Sequence, residues 1–84
     1  MNILEEANRA TSKERQLDYG HPSENMEHIA RIASAILGKD ITYKEVVAIM
    51  IATKLSRETH RHKRDNLVDL AGYAWVWAKC EGEE

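Results

Sequence analysis

An all-α fold is predicted, a compact bundle of three main helices plus an N-terminal helix in one domain over residues 1–84. Three observations predict it. Apolar residues recur at three- and four-residue steps, as one face of a helix requires. Capping residues and breakers stand where those segments start and stop. Alternating runs of β-branched and aromatic residues, the raw material of strands, are nearly absent. The most informative stretch is residues 64–77, in which Leu67, Leu70, Ala71 and Ala74, continued by Ala78, form one apolar stripe. Asp69, Tyr73, Val76 and Cys80 form a neighbouring stripe, with Asp65 one turn ahead. A glycine inside a helix costs on the order of 1 kcal/mol against alanine, so Gly72 marks a place where something packs closely.

Asn2 is placed to cap a first helix carrying Ile3, Leu4, Ala7 and Ala10 on one side. Glu5 and Glu6 then lie in its first turn, where the helix dipole favours negative charge. Residues 11–16 are polar and either extend that helix or fray. Tyr19-Gly20-His21-Pro22 is the clearest break, because proline restrains His21 to extended geometry and suits the first helical position. The second helix is expected over Pro22–Leu37, with Gly38 as its C-cap. Met26, Ile29, Ala33 and Ile36 form its core stripe, widened by Ile32 and Leu37, and the small or aliphatic residues from Ser34 onward fit a close helix contact. Thr42 and Glu45 make a capping box that starts a third helix. Its body, residues 46–52, is apolar on every side, which predicts burial all round, either central in the fold or at an oligomer interface. Residues 58–64 read as a loop or frayed end, Asp65 as the cap of the last helix, and residues 81–84 as an acidic tail.

A chain of 84 residues buries roughly 60% of its unfolded surface, so the monomer alone would be marginal. The all-round apolar helix adds to this. Trp75 and Trp77 point to different sides of theirs, at least one to the core and the other suited to a subunit interface. A homo-oligomer is therefore expected. The net charge of -2 and the lack of a basic stripe on a recognition helix argue against direct DNA binding. The single cysteine, Cys80, excludes an intramolecular disulfide and fits a reducing compartment. With only Lys79 as a basic neighbour, it has no support as a nucleophile. No signal peptide is visible and no apolar run is long enough for a membrane span, so a soluble cytoplasmic protein without a membrane partner is expected.

Three constellations could carry chemistry. Glu24 and Glu27 on the second helix, with Asp69 on the last, supply the oxygen ligands that a magnesium ion near a pyrophosphate would need. For the two glutamates the plainer account, ordinary first-turn acids, comes first. Asp69 lies inside a helix beside apolar residues, and it either serves a site or pairs with a lysine or arginine of the third helix. Residues 54–64 hold Lys54, Arg57, Arg61, Lys63 and Arg64, a density that suits a phosphate. Arg61, Lys63 and Arg64 read better as a solvated helix end, whereas Lys54 and Arg57 point from the edge of the core. Around the first break, Arg15, Asp18, Tyr19, Gly20 and Asn25 could hold an aromatic base and an anion, or simply form a tight turn. His60 and His62 offer only two ligands in one short segment, far from a zinc signature.

Taken together, Arg15, Tyr19-Gly20, Pro22, Asn25 and Ile29, then Lys54 and Arg57, then Asp65 and Asp69-Leu70-Ala71-Gly72-Tyr73-Ala74 resemble a family of small, uncharacterised phage and prophage proteins. The resemblance covers residues 15–77 and implies a compact all-α, phage-encoded protein, which would place it in the host cytoplasm. A more distant likeness is to the all-α nucleoside triphosphate pyrophosphohydrolases of the MazG kind, which bind magnesium through two pairs of acids. Glu24, Glu27 and Asp69 fit three of the four positions, and Asn66 stands where the remaining glutamate would be. A whole extra helix also separates the two pairs here.

The first expectation is thus a small phage-type helical protein that binds a nucleotide or other phosphorylated ligand as an oligomer. It would serve nucleotide metabolism or sequester a host signalling nucleotide. Its site would comprise Arg15, Tyr19, Lys54, Arg57, Asp65, Asp69 and Tyr73. Arginine and lysine would neutralise phosphates, a tyrosine would stack on a base, and the acids would hold a metal or orient the basic groups. Magnesium is the one candidate cofactor. Two alternatives stand beside this: magnesium-dependent pyrophosphohydrolysis by Glu24, Glu27 and Asp69, and a ligand-free inhibitor that binds a host protein.

Overall fold

Local signals set where the helices begin. In a computed structural model that describes residues 1–12, 16–17 and 20–83, the described residues form four α-helices and no strand, the all-α architecture expected. Helix α1 spans Ile3–Ala10, α2 Pro22–Leu37, α3 Tyr43–His60 and α4 Arg64–Cys80. The Glu5 amide donates to Asn2 Oδ1 at 2.8 Å, and the Asn2 amide returns a longer bond to Glu5. Thr42 and Glu45 exchange the same pair of bonds at the start of α3. His21 is extended and caps α2, accepting from the Ser23 amide at 3.2 Å, with Pro22 in the first turn. Gly38 ends α2 in the left-handed region at φ 69°. Ser34 then pins the α2–α3 connection: its hydroxyl donates to the Ala30 carbonyl at 2.7 Å and accepts from the Ile41 amide at 2.8 Å.

Helices α3 and α4 form an antiparallel hairpin marked by three polar rungs. At one end Glu81 pairs with Lys44 at 3.2 Å and accepts from the Trp77 indole at 3.2 Å. Midway, Lys54 Nζ lies 2.8 Å from Asp69 Oδ2. At the turn, Glu58 accepts from Asn66 Nδ2 at 3.1 Å. The core cluster joins Met26 and Ala30 of α2, Val46 and Val47 of α3 and Val76 of α4. Both tryptophans pack against it from within this chain, and Lys79 stands 5.5 Å over the Trp75 ring. Helix α4 packs against all three other helices, so the stretch singled out in the sequence is the spine of the bundle.

Five expectations are corrected. Of the two settings expected for the body of α3, the central one does not hold: Val46 and Val47 face the core, while Ala48, Ile49 and Ala52 are exposed, because α3 packs against α2 and α4 and leaves its outer side open within this chain. On α2 the core face runs through Pro22, Met26 and Ala30, whereas Ile32, Ile36 and Leu37 face outward. On α4 the buried positions are Asn66, Val68, Gly72 and Val76, and Ala74 of the expected stripe is exposed. Helix α3 also continues to His60, and Asp65 does not cap α4: Lys63 holds the N-cap position without a side-chain bond. Glu58 takes over that task from the preceding helix, accepting from the Lys63 amide at 3.0 Å.

Candidate functional site

Residues from two of the three segments that carried the sequence resemblance, the first break and the middle of α4, meet around one cavity. It has a volume of about 370 Å³ and lies where the end of α1, the start of α2 and the middle of α4 converge, with Met50 of α3 as floor. From the first break come Gly20, Pro22, Asn25 and Met26; from α4 come Val68, Asp69, Gly72, Tyr73 and Val76. Ala10, Thr11 and Gln16 close the remaining side. The walls are chiefly apolar, and a few polar groups converge in them: Asn25, Asp69, Tyr73, Gln16 and Thr11. Volume and composition both match small-molecule sites. A shallower depression of about 580 Å³ adjoins it, lined by Met1, Glu6, Arg9 and Asp65, and shares Ala10, Val68 and Asp69 with the cavity. Asp69 stands on the ridge between the two.

Gly72 sits buried in this wall, yet its neighbours do not demand a glycine. A Cβ built there meets, among the described residues, only Thr11 Cγ2, at an ordinary 3.7 Å. The end of α1 thus packs on buried Gly72 through Thr11, at a distance that, among the described residues, leaves room for a methyl group.

Of the residues expected at a site, Asp69 and Tyr73 line the cavity and Asp65 lines the depression. Lys54 reaches the cavity through Asp69, whose Oδ2 it holds. Arg57 is exposed further along α3 and lines neither space among the described residues. Arg15 and Tyr19 lie outside the described residues. Glu24 and Glu27 are exposed on α2. Burial raises the Cys80 thiol and the charges of Glu27 and Glu81 add to it, so Glu27 acts near the end of α4 and away from Asp69. Among the described residues no group of three or more His, Cys, Asp or Glu gathers as metal ligands, so Glu24, Glu27 and Asp69 are not brought together. Cys80, held protonated, is a poor nucleophile.

Sequence reasoning missed the polar network at the α3–α4 turn. His62, the Lys63 amide and Asn66 all bond to Glu58 and hold its carboxyl at about 2, well below its ordinary 4.5. Arg64 donates to Glu6 at 2.6 Å and to the Met1 carbonyl at 2.7 Å, which lowers Glu6 and straps the start of α1 to the start of α4. The signal available was the placement of Glu58 and Asn66 on either side of the turn, which only gains meaning once α3 extends to His60.

Comparison with known proteins places these features in a family. The chain is 43% identical over 74 residues to the Gene 55 protein of Mycobacterium phage D29, covering 87% of this chain and 49% of that protein. It is 36% identical over 83 residues to the Gene 55 protein of Mycobacterium phage L5, covering 96% of this chain and 53% of that protein. The chain thus spans about half the length of these curated relatives. No solved structure matches it. Among the described residues no helix is long and apolar enough to cross a membrane. A family described as a domain of unknown function, DUF6378, matches residues 2–81, and the chain belongs to it.

Proposed function

We propose that this domain binds a nucleotide or related phosphorylated small molecule, with the base seated in the cavity between α1, α2 and α4. The observation that carries this reading is the cavity itself, built by the break at residues 20–26 and by the middle of α4. Its apolar walls suit a flat heterocycle, Tyr73 supplies an aromatic ring, and Asn25 and Asp69 supply polar contacts for the ring edge. Gly72 supports the same reading, because a mid-helix glycine that packing does not require leaves room in the wall. The adjoining depression sets Arg9 among Glu6, Asp65 and Asp69, with Glu6 and Asp69 already paired to Arg64 and Lys54, so the phosphate end reaches toward Arg9 and solvent or arrives with a magnesium ion. The Gene 55 relatives belong to phages. In an infected cell such binding would serve nucleotide metabolism or withdraw a host signalling nucleotide.

Calorimetric titration with nucleosides, nucleoside mono- and triphosphates and cyclic dinucleotides, with and without magnesium, tests this. Saturable heat with at least one base-bearing compound is expected, weakened by Tyr73→Ala; flat heats throughout would overturn it. Pyrophosphate release in the same samples would restore the hydrolase alternative, which lacks a carboxylate cluster among the described residues.

Self-association is the second part of the proposal, favoured by the outward apolar residues Ile32, Ile36 and Leu37 of α2 and Ile49 and Leu55 of α3. Sedimentation at increasing concentration reads it directly, and a strict monomer would refute it. In that case the same face becomes the candidate for a host protein.

A further inference from the structure

We infer that two copies of this chain pair through the outer face of α3, with the two helices antiparallel about a two-fold axis that passes beside Ala52. This rests on the proposed self-association and names the helix, the direction and the register. The outer face of α3 carries Ala48, Ile49, Ala52, Leu55 and Ser56, all exposed, with Ile49 61% and Leu55 49% open to solvent. No charged residue occurs from Val46 to Thr53, and α2 and α4 pack on the helix's other side.

Ala48, Ala52 and Ser56 recur at steps of four, and their small side chains leave a shallow groove along the helix. At about 100° per residue, Ile49 and Leu55 stand about 60° to either side of Ala52. Ser56 shares the side of Ile49, and Ala48 shares that of Leu55. A two-fold axis beside Ala52 sets the second helix end for end against the first. Ile49 then meets Ser56 of the partner subunit, and Leu55 meets Ala48 of the partner subunit, large against small at both steps. The two Ala52 methyls face each other and let the helix axes approach to about 8 Å. An isologous contact requires a surface that complements itself, and this match of the face to itself favours a second copy over an unrelated protein. Charge agrees. The first turn of α3 is acidic at Glu45, while its last turn holds Arg57 and His60. Antiparallel pairing brings Glu45 to Thr59 and His60 of the partner subunit and opposes the helix dipoles favourably; parallel pairing would stack Glu45 on its own copy. One helix face is at the small end of protein interfaces, so dissociation in the micromolar range is expected.

The test places charge on the axis. Ala52→Glu and Ala52→Lys, each checked for helicity, should weaken dimerisation in sedimentation by roughly tenfold or more, because like charges meet across the axis. An equimolar mixture of the two should recover the dimer, since unlike charges then meet. Independently, Ala52→Cys in a Cys80→Ser background should form a covalent dimer under mild oxidation. A dimer that persists in both charged variants, with no cross-link through Ala52→Cys, overturns this register and leaves self-association standing. A mixture that stays as monomeric as its two components overturns the facing of Ala52 on itself. A wild-type chain that is strictly monomeric at every concentration overturns self-association and this interface together.

Discussion

The α3–α4 turn and the cavity lie within two helical turns of each other on α4, yet they are built on opposite plans. At the turn Glu58 is saturated: it receives bonds from Asn66 and the Lys63 amide and pairs with His62. No side-chain nitrogen or oxygen buried among the described residues lacks a partner. In the cavity wall, among the described residues, Asp69 has a single partner, Asn25 borders open space, and a methyl on Gly72 would meet only Thr11 at an ordinary distance. Saturated networks hold a fold in place, whereas partly committed groups beside a void are what a ligand can use. Under the proposed function, stability and recognition are divided along one helix.

The largest expected effect is at the saturated end. Asn66 is 6% exposed and bonds the Glu58 carboxylate, so Asn66→Ala should destabilise the fold by about 2 kcal/mol. That lowers the thermal midpoint by roughly 10 °C for a domain of this size, as calorimetry would show. Acid should loosen both ends of the hairpin. Glu58 is held at about 2 against an ordinary 4.5, and Glu6 and Glu81 are lowered too, the first chiefly by Arg64 and the second by Tyr43, Trp77 and Lys44. A depressed folded value means that the stabilisation is present above the unfolded value and disappears as pH falls through the folded one. Urea unfolding between pH 5 and 2 should therefore show falling stability, with a shallower slope in Glu58→Gln.

At the open end the sign reverses. Gly72→Ala should stabilise the helix by up to about 1 kcal/mol while placing a methyl in the cavity wall, so thermal midpoint and base affinity are expected to move in opposite directions. A variant that loses stability would show that packing, not space, keeps the glycine. The smallest effect on folding belongs to Ile36→Lys, at a side chain 77% exposed. Stability should change by less than about 0.5 kcal/mol, while sedimentation should shift toward the monomer.

How far the sequence reached follows from what its signals measure. The capping pairs Asn2–Glu5 and Thr42–Glu45, the His21-Pro22 start and the Gly38 stop were legible, because each acts within a few residues of chain. The core face was not. Helices α3 and α4 carry apolar residues on most sides, and periodicity cannot choose between Val68–Gly72–Val76 and the Leu70–Ala74 stripe without knowing that α4 must serve three neighbours at once. Ile36 misled for a related reason, since an outward isoleucine and an inward one look alike in sequence. At the site, Asp69, Tyr73, Gly20 and Asn25 stood out as polar or permissive residues in apolar surroundings. The wall residues Met50 and Val68 did not, being ordinary hydrophobes whose role comes only from the void beside them.

The Arg64 strap also governs the order in which the chain comes together. It joins residues 58 positions apart, whereas Glu58 and Asn66 are only 8 apart. Closing the longer loop costs roughly 1.5–2 kcal/mol more in chain entropy, so the α3–α4 hairpin assembles early and α1 settles onto it late. The last helix to dock is the first to depart, and amides of α1 should exchange with solvent faster than those of α3 and α4. Ala10 and Thr11, at the end of that helix, form part of the cavity wall. Each departure of α1 removes one side of the cavity and each return rebuilds it, so that under the proposed function ligand binding and the docking of α1 would be thermodynamically linked.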